Sequence, residues 1–274
     1  MMQIGTLQNV LNEPLGSSFV QAGRLGFDCI ELDWNAPADA LPGGVMSPSM
    51  RDMMRRTART NDVVIQSVAA HFLNNGGIAS ADSTVVAAGM LNLRRGIELC
   101  ASVGARVLLV PFFFHGEIVG EEGIKRLTDN LARLASDAAS ADVKLGIENT
   151  LTAAQNAAIV DAVNSPFVGV YWDMANGIAC GYDAVADVHT LGTRLVQVHA
   201  KEFKHDGGVR GTRANPRFDL LNAAPLGQGD VPVPGVIGAL KAVGYTGAIV
   251  LETGHFGNHH ASAQAAARYL RTLV

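Results

Sequence analysis

The feature that most constrains this chain is an end-to-end alternation of short apolar runs with helical periods. Residues 2–7 read as a first strand, followed by a helix over about 17–25 that Gly26 stops. Further strands are expected at 27–32, 62–69, 106–111, 143–147, 168–172, 195–198 and 248–251. Between them, Val86, Met90, Leu93, Ile97 and Cys100 fall on one helix face, and Ile124, Leu127, Leu131, Leu134 and Ala138 repeat the spacing. Ser47 followed by Pro48 reads as an N-cap and first helical position, opening a helix to about Arg59. Other helices are expected near 152–163, 183–191, 234–243 and 259–273. Regular strand–helix alternation calls for a parallel sheet with helical crossovers. Eight units in 274 residues match one closed (β/α)8 TIM barrel, and no Gly-x-Gly-x-x-Gly follows the first strand as in an open dinucleotide-binding sheet. A single α/β domain over 1–274 is therefore expected, with one long polar loop from Lys201 to about Val231.

A strand covered on both faces has no cheap place for an ionised group except its end. Four successive strands here run into such a residue: Glu148, Asp173, His199 and Glu252. Glu148 and Asp173, then Asp173 and His199, lie about one βα unit apart, and the long loop absorbs the larger interval to Glu252. The four thus belong to adjacent strands five to eight, at the end of the barrel where catalytic groups sit. A lone acid there is as often half of a salt bridge, and a lone histidine a satisfied core residue. Four on consecutive strands, with no basic residue at equivalent positions to neutralise them, point instead to one divalent ion. Three carboxylates and an imidazole suit Mn2+, Mg2+ or Co2+, with Zn2+ as a further candidate. No thiolate contributes, which argues against a structural zinc site.

Weaker candidates surround the same mouth. His71 and His115 follow strands three and four and are read as contacts for substrate hydroxyls, against solvated loop histidines. His255 lies three residues past Glu252. Lys201 lies two past His199, so it points the same way, toward a substrate oxygen or a glutamate partner. In the long loop Lys201, Lys204, Arg210, Arg213 and Arg217 outnumber Glu202, Asp206 and Asp219. Arg213 and Arg217 are read as closing over an anion such as a sugar phosphate, since guanidinium pairs with phosphate bidentately; solvated surface charge is the plainer reading.

The formal net charge of −4 argues against a broad nucleic-acid surface. Cys29, Cys100 and Cys180 form no Cys-x-x-Cys pair and read as reduced thiols of a cytoplasmic protein. No signal-peptide pattern opens the sequence, and no apolar stretch reaches the roughly 18 residues of a membrane span, so no membrane association is expected.

The motifs Gly-Ile-Glu-Asn (146–149), Tyr-Trp-Asp-Met-Ala-Asn (171–176), Val-His-Ala-Lys-Glu (198–202), Pro-Leu-Gly-Gln-Gly-Asp (225–230) and Leu-Glu-Thr (251–253) occur in this order. Together they resemble the xylose-isomerase-like sugar phosphate isomerase/epimerase barrels, which include hexulose- and pentulose-phosphate epimerases, tagatose-type ketose 3-epimerases and hydroxypyruvate isomerase. Gly26-Phe27-Asp28-Cys29-Ile30-Glu31 extends the likeness toward the N-terminus. The resemblance implies that Glu148, Asp173, His199 and Glu252 hold one divalent ion and that both glutamates also serve as bases. It implies a small-molecule sugar or sugar phosphate as substrate; such barrels often form homo-oligomers, dimers or tetramers, and the sequence itself selects no oligomeric state. Tagatose-type epimerases carry a histidine where this chain has Asn176, and a substrate-contacting arginine where it has His205. Both differences lean toward the sugar-phosphate branch, whose Asp-x-Gly-Asn appears with Ala175 for glycine, and make Asn176 and His205 substrate-binding candidates.

The implied chemistry is proton removal next to a ketose carbonyl, with a metal-stabilised enediolate and two carboxylate bases. Return of the proton to the opposite face gives epimerisation, and return to the neighbouring carbon gives isomerisation. A keto-inositol-type dehydratase needs the same site and is the main alternative. An apurinic endonuclease would need a three-zinc cluster, for which Asn176 and the long loop lack the extra ligands. A non-catalytic sugar-binding protein is disfavoured because all four ligands are present.

Overall fold

The computed structural model describes residues 2–35, 47–205, 221–253 and 256–274. Seven strands, β1 (Gln3–Leu7), β2 (Cys29–Asp33), β3 (Val64–Ala69), β4 (Val107–Pro111), β5 (Lys144–Glu148), β6 (Val168–Asp173) and β7 (Leu195–Ala200), are joined by β10 (Ala248–Leu251) in one closed parallel barrel. The order around it is β1-β10-β7-β6-β5-β4-β3-β2. The strands carrying the four candidate ligands are therefore neighbours. Helices α1 (Leu15–Leu25), α2 (Pro48–Thr60), α3 (Ser83–Val103), α4 (Gly120–Ala141), α5 (Ala153–Val163), α7 (Ala184–Leu191), α8 (Val233–Ala242) and α9 (His259–Leu273) follow the barrel strands, with the single-turn α6 (Asn176–Ala179) ahead of α7.

Local chemistry sets the helix ends. Ser47 Oγ accepts from the Met50 N–H with Pro48 at N1, as its sequence indicates. Thr152 and Gln155 form a reciprocal capping box on α5. Gly104, at φ 83°, closes α3 in the left-handed conformation that glycine adopts without strain. Leu93, Leu127, Leu131 and Leu134 are fully buried where α3 and α4 pack on the barrel. No helix among the described residues is long and apolar enough to cross a membrane.

The long polar segment after β7 departs from a plain loop. It contains a two-stranded antiparallel ribbon of β8 (Phe203–His205) and β9 (Leu221–Ala223). Glu202, fully buried, accepts from the backbone N–H groups of Phe203, Gly227 and Val231, which fixes the Pro-Leu-Gly-Gln-Gly-Asp stretch against the barrel. At Gly229 a Cβ would collide with the Phe203 carbonyl and the Glu202 carboxylate. That motif is thus a loop anchor in this chain.

Strand register sets the heights of the inward side chains. Asp173 lies opposite His199, and one layer deeper Tyr171 lies opposite Gln197 and Glu31 opposite Ser67. The deeper pairs each follow a shift in register, between Ile30 and Glu31 and between Val170 and Tyr171. Such bulges re-aim side chains near barrel rims and active sites. Gly146 on β5 leaves room for the Tyr171 side chain, since a Cβ there would lie 2.9 Å from Tyr171 Cβ.

Candidate metal centre

Glu148, Asp173, His199 and Glu252 each offer a ligand atom within 4.8 Å of the others. Glu148 ends β5, Asp173 ends β6, His199 is the penultimate residue of β7, and Glu252 directly follows β10. The first three are buried and Glu252 is half-buried, so the cluster opens on one side. His199 Nδ1 lies 3.4 Å from Glu148 Oε1 and 3.1 Å from Glu252 Oε2. Asp173 Oδ1 accepts from the N–H groups of Ala175 and Asn176, both at 2.7 Å, which fixes the turn leading into α6. Its other oxygen, Oδ2, is buried without a hydrogen-bond partner, the Lys201 ammonium being 3.4 Å away. A buried orphan acceptor is costly. Together with two further carboxylates and an imidazole, it suits a hard divalent cation, so the residues present fit the implied ion.

The absence of a neutralising base, expected from the sequence, does not hold. Lys201 Nζ donates to Glu252 Oε2 at 2.9 Å and approaches Asn176 Oδ1 at 3.4 Å. Alternation along β7 puts Lys201 on the same face as His199 and one step toward the mouth. The cluster's electrostatics follow. Burial is the largest influence on Asp173 and pushes its carboxyl up to about 6; Lys201 opposes this, while Glu252 and Glu148 add to it. For Glu252 burial acts upward, but Lys201 and His199 outweigh it and hold the carboxyl well below its usual range. Burial alone would lower His199, yet the Glu252 and Glu31 carboxylates raise it well above an ordinary imidazole.

A cavity of about 560 Å3 opens over the cluster. Its walls include His71, Phe112, Phe113, Phe114, Asn176, Lys201 and Phe203, with Glu148 and Glu252 at its floor. His71 is half-buried, its Nδ1 2.7 Å from Asp33 Oδ1. Burial acts downward on His71, but Asp33 outweighs it and leaves the ring above its ordinary value. Asn176 Nδ2 approaches Glu148 Oε1 at 3.4 Å.

His115 is exposed and does not line this cavity. The chain turns at Phe114, in the left-handed region at φ 51°, and the three phenylalanines before His115 supply the wall instead. The His205 side chain lies outside the described residues, as do Arg213, Arg217 and His255. Trp34 and Trp172 are buried core residues, Trp34 against the Phe72 ring at 4.6 Å.

A family model described as a xylose isomerase-like TIM barrel matches residues 19–273. The chain belongs to this xylose isomerase-like family. Among curated proteins it is similar to the L-ribulose-5-phosphate 3-epimerase UlaE of Escherichia coli (strain SMS-3-5 / SECEC), at 24% identity over 239 residues, covering 84% of this chain and 79% of that one. Among solved structures, an L-ribulose 3-epimerase superposes with a TM-score of 0.79 at 20% identity, covering 99% of this chain and 94% of that one. A D-psicose 3-epimerase solved in the presence of D-fructose gives 0.77 at 18% identity, covering 99% of each chain.

Within this xylose isomerase-like barrel, one acidic residue at the site escaped the sequence reading. Glu31 is fully buried in mid-barrel, with Oε1 2.7 Å from His199 Nε2. Its sequence signal was an acid between Ile30 and Leu32 in the middle of a strand, which is where a carboxylate needs buried partners. Those partners, Ser67, Tyr171 and Gln197, come from three other strands.

Proposed function

We propose that this chain is a divalent-metal-dependent epimerase or isomerase of a ketose or ketose phosphate, with Glu148 and Glu252 as its two bases. The observation that carries the reading is the convergence of ligand atoms from Glu148, Asp173, His199 and Glu252 within 4.8 Å of one another, with Glu148 and Glu252 lining a substrate-sized cavity and Asp173 Oδ2 buried without a hydrogen bond. The names of an L-ribulose-5-phosphate 3-epimerase, a D-psicose 3-epimerase and an L-ribulose 3-epimerase among the similar proteins support the substrate class. Glu148, Asp173, His199 and Glu252 would hold the ion, with Mn2+, Mg2+ or Co2+ preferred over Zn2+ by an oxygen-rich donor set. When bound, it supplies Lewis-acid stabilisation of charge on the substrate's carbonyl oxygen, worth several kcal/mol.

The chain's own groups do the rest. Glu148 and Glu252 approach from strands on opposite flanks of β6 and β7, so the two carboxylates would reach opposite faces of a bound substrate. One removes the proton beside the carbonyl and the other returns a proton on the far face. A positioned carboxylate base contributes a factor of about 10² to 10⁴. Lys201 holds Glu252 Oε2, and Asn176 spans Lys201 and Glu148, so both bases are oriented from the same side. His71, Asn176 and Lys201 are the proposed contacts for substrate oxygens, and the phenylalanine walls exclude water from the exchanging carbon. His205, Arg213, Arg217 and His255 complete the proposed substrate-binding set, the arginines as partners of a phosphate.

The test is solvent exchange. Metal-loaded protein is incubated in heavy water with ketoses, ketose phosphates and keto-inositols, and the proton spectrum is followed. Deuterium at C3 with inverted configuration marks a 3-epimerase, and deuterium at C1 or C2 with a new aldose marks an isomerase. Loss of water marks a dehydratase and replaces the proposed reaction. No exchange with any of them while the ion is bound reduces Glu148 and Glu252 to ligands.

A further inference from the structure

Beneath the proposed metal ligands lies a polar layer that takes no part in the reaction outlined above. Glu31 Oε2 accepts from Ser67 Oγ at 2.6 Å and from Tyr171 OH at 2.8 Å. Gln197 Nε2 donates to Ser67 Oγ at 2.6 Å and to Tyr171 OH at 2.8 Å, and lies 3.5 Å from Glu31 Oε2. Gln66 donates to Gln197 Oε1 at 3.4 Å, which fixes which end of that amide faces the hydroxyls. The layer has one polarity: each hydroxyl receives a hydrogen from Gln197 and passes its own to Glu31. Glu31 is thereby a committed acceptor. Its remaining oxygen, Oε1, faces His199 Nε2 at 2.7 Å.

We propose that Glu31 is a positioning residue for the metal centre, holding the proton of His199 on Nε2 so that the Nδ1 lone pair faces the ion between Glu148 and Glu252. The inference rests on the metal site proposed above. An imidazole has two exchangeable tautomers, and which nitrogen can ligate is set by the hydrogen bond made by the other. Here the second nitrogen meets a carboxylate rather than a backbone carbonyl, which also raises the basicity of the ligating atom. The ring has little freedom to choose otherwise, since Tyr171 packs on it with centroids 4.4 Å apart. The register shifts in β2 and β6 bring Glu31 and Tyr171 into this layer from opposite walls of the barrel. A plain buried ion pair would need one donor to Glu31. The two further hydroxyl donors aimed at it, themselves held by Gln197, are what a fixed orientation requires.

The experiment is titration of Co2+ into the metal-free protein, read by calorimetry and by the visible absorption of the bound ion. Loss of an outer partner of a ligating histidine weakens metal binding by about 10- to 100-fold. Glu31→Gln is expected to raise the Co2+ Kd within that range and to alter the absorption band shape. Tyr171→Phe keeps the ring on His199 and removes one donor to Glu31. It is expected to raise the Kd by a smaller factor in the same direction, and it decides the matter if Glu31→Gln does not fold. The 15N spectrum of the Zn2+-loaded wild type should show His199 protonated at Nε2, with Nδ1 shifted by the ion. Wild-type Co2+ affinity and band shape in a folded Glu31→Gln protein, or in Tyr171→Phe where the former is unfolded, overturn the inference and leave the metal site standing. A wild-type protein that binds no ion overturns both.

Discussion

Lys201 places a cation among the carboxylates of the proposed metal site. Its Nζ lies 2.9 Å from Glu252 and 3.4 Å from Asp173, and its side chain is only 19% exposed. Replacing it with Met keeps most of the volume and removes the charge, leaving Glu148, Asp173 and Glu252 at the cluster without the cation they share. Removing one partner of a buried ion pair costs about 3–5 kcal/mol, and the residual exposure of Lys201 favours the lower figure. In a chain of this size each kcal/mol moves Tm by about 2–4 °C, so Lys201→Met is expected to melt about 6–12 °C lower in chelator. A divalent ion supplies the missing positive charge and no longer competes with Nζ for Glu252 Oε2. At 100-fold excess over Kd, an ion contributes about 2.7 kcal/mol to either protein, and tighter binding adds to this in the variant. Calorimetric scans in chelator and in saturating Mn2+ should therefore show the gap shrinking by half or more. Equal Tm in chelator, or a gap that Mn2+ leaves unchanged, refutes the reasoning.

Glu148→Gln and Glu252→Gln should each keep the fold, checked by circular dichroism, and lose at least about 10²-fold in turnover; retention of more than a tenth of the rate excludes that residue as a base. Metal affinity should depend on pH through Asp173, whose carboxyl is pushed up to about 6. A raised carboxyl stabilises the metal-free fold below its unfolded value, and that contribution is lost as pH rises through about 6, whereas the ion requires the ionised form. Mn2+ binding measured by calorimetry should therefore weaken more steeply below pH 6 than above it, by about a further tenfold per pH unit beyond the displacement of the His199 proton, and an affinity flat between pH 5 and 7 contradicts this. Arg213→Ala and Arg217→Ala should raise KM for a phosphorylated ketose and spare its neutral analogue in steady-state assays; equal effects on both reject the phosphate role.

The barrel and the four proposed ligands were legible because both rest on local rules. Alternating periods name the crossovers, and an ionisable residue closing a buried strand has few places to go. Glu148, Asp173, His199 and Glu252 each carry that signal within their own strand. Glu31 carries only half of it. Its position in mid-strand says that partners must exist, but they lie on β3, β6 and β7, and two register shifts decide which residues they are. Lys201 was placed on the correct face by alternation, while its partners depended on how far Glu252 and Asp173 stand from it across two other strands. His115 was misplaced because a left-handed turn at Phe114 is not written in a run of phenylalanines. The β8–β9 ribbon escaped because three-residue strands carry no measurable period, and a buried Glu202 holds the segment beside them.

One divalent ion is proposed to sit among the side chains of Glu148, Asp173, His199 and Glu252. Anomalous diffraction from crystals grown with Mn2+, together with elemental analysis of the purified protein, tests it most directly. One ion per chain is expected, with a single anomalous peak within about 2.0–2.3 Å of Glu148, Asp173, Glu252 and the Nδ1 atom of His199. A peak elsewhere, coordination through Nε2, three ions in a cluster, or an active protein devoid of metal contradicts it.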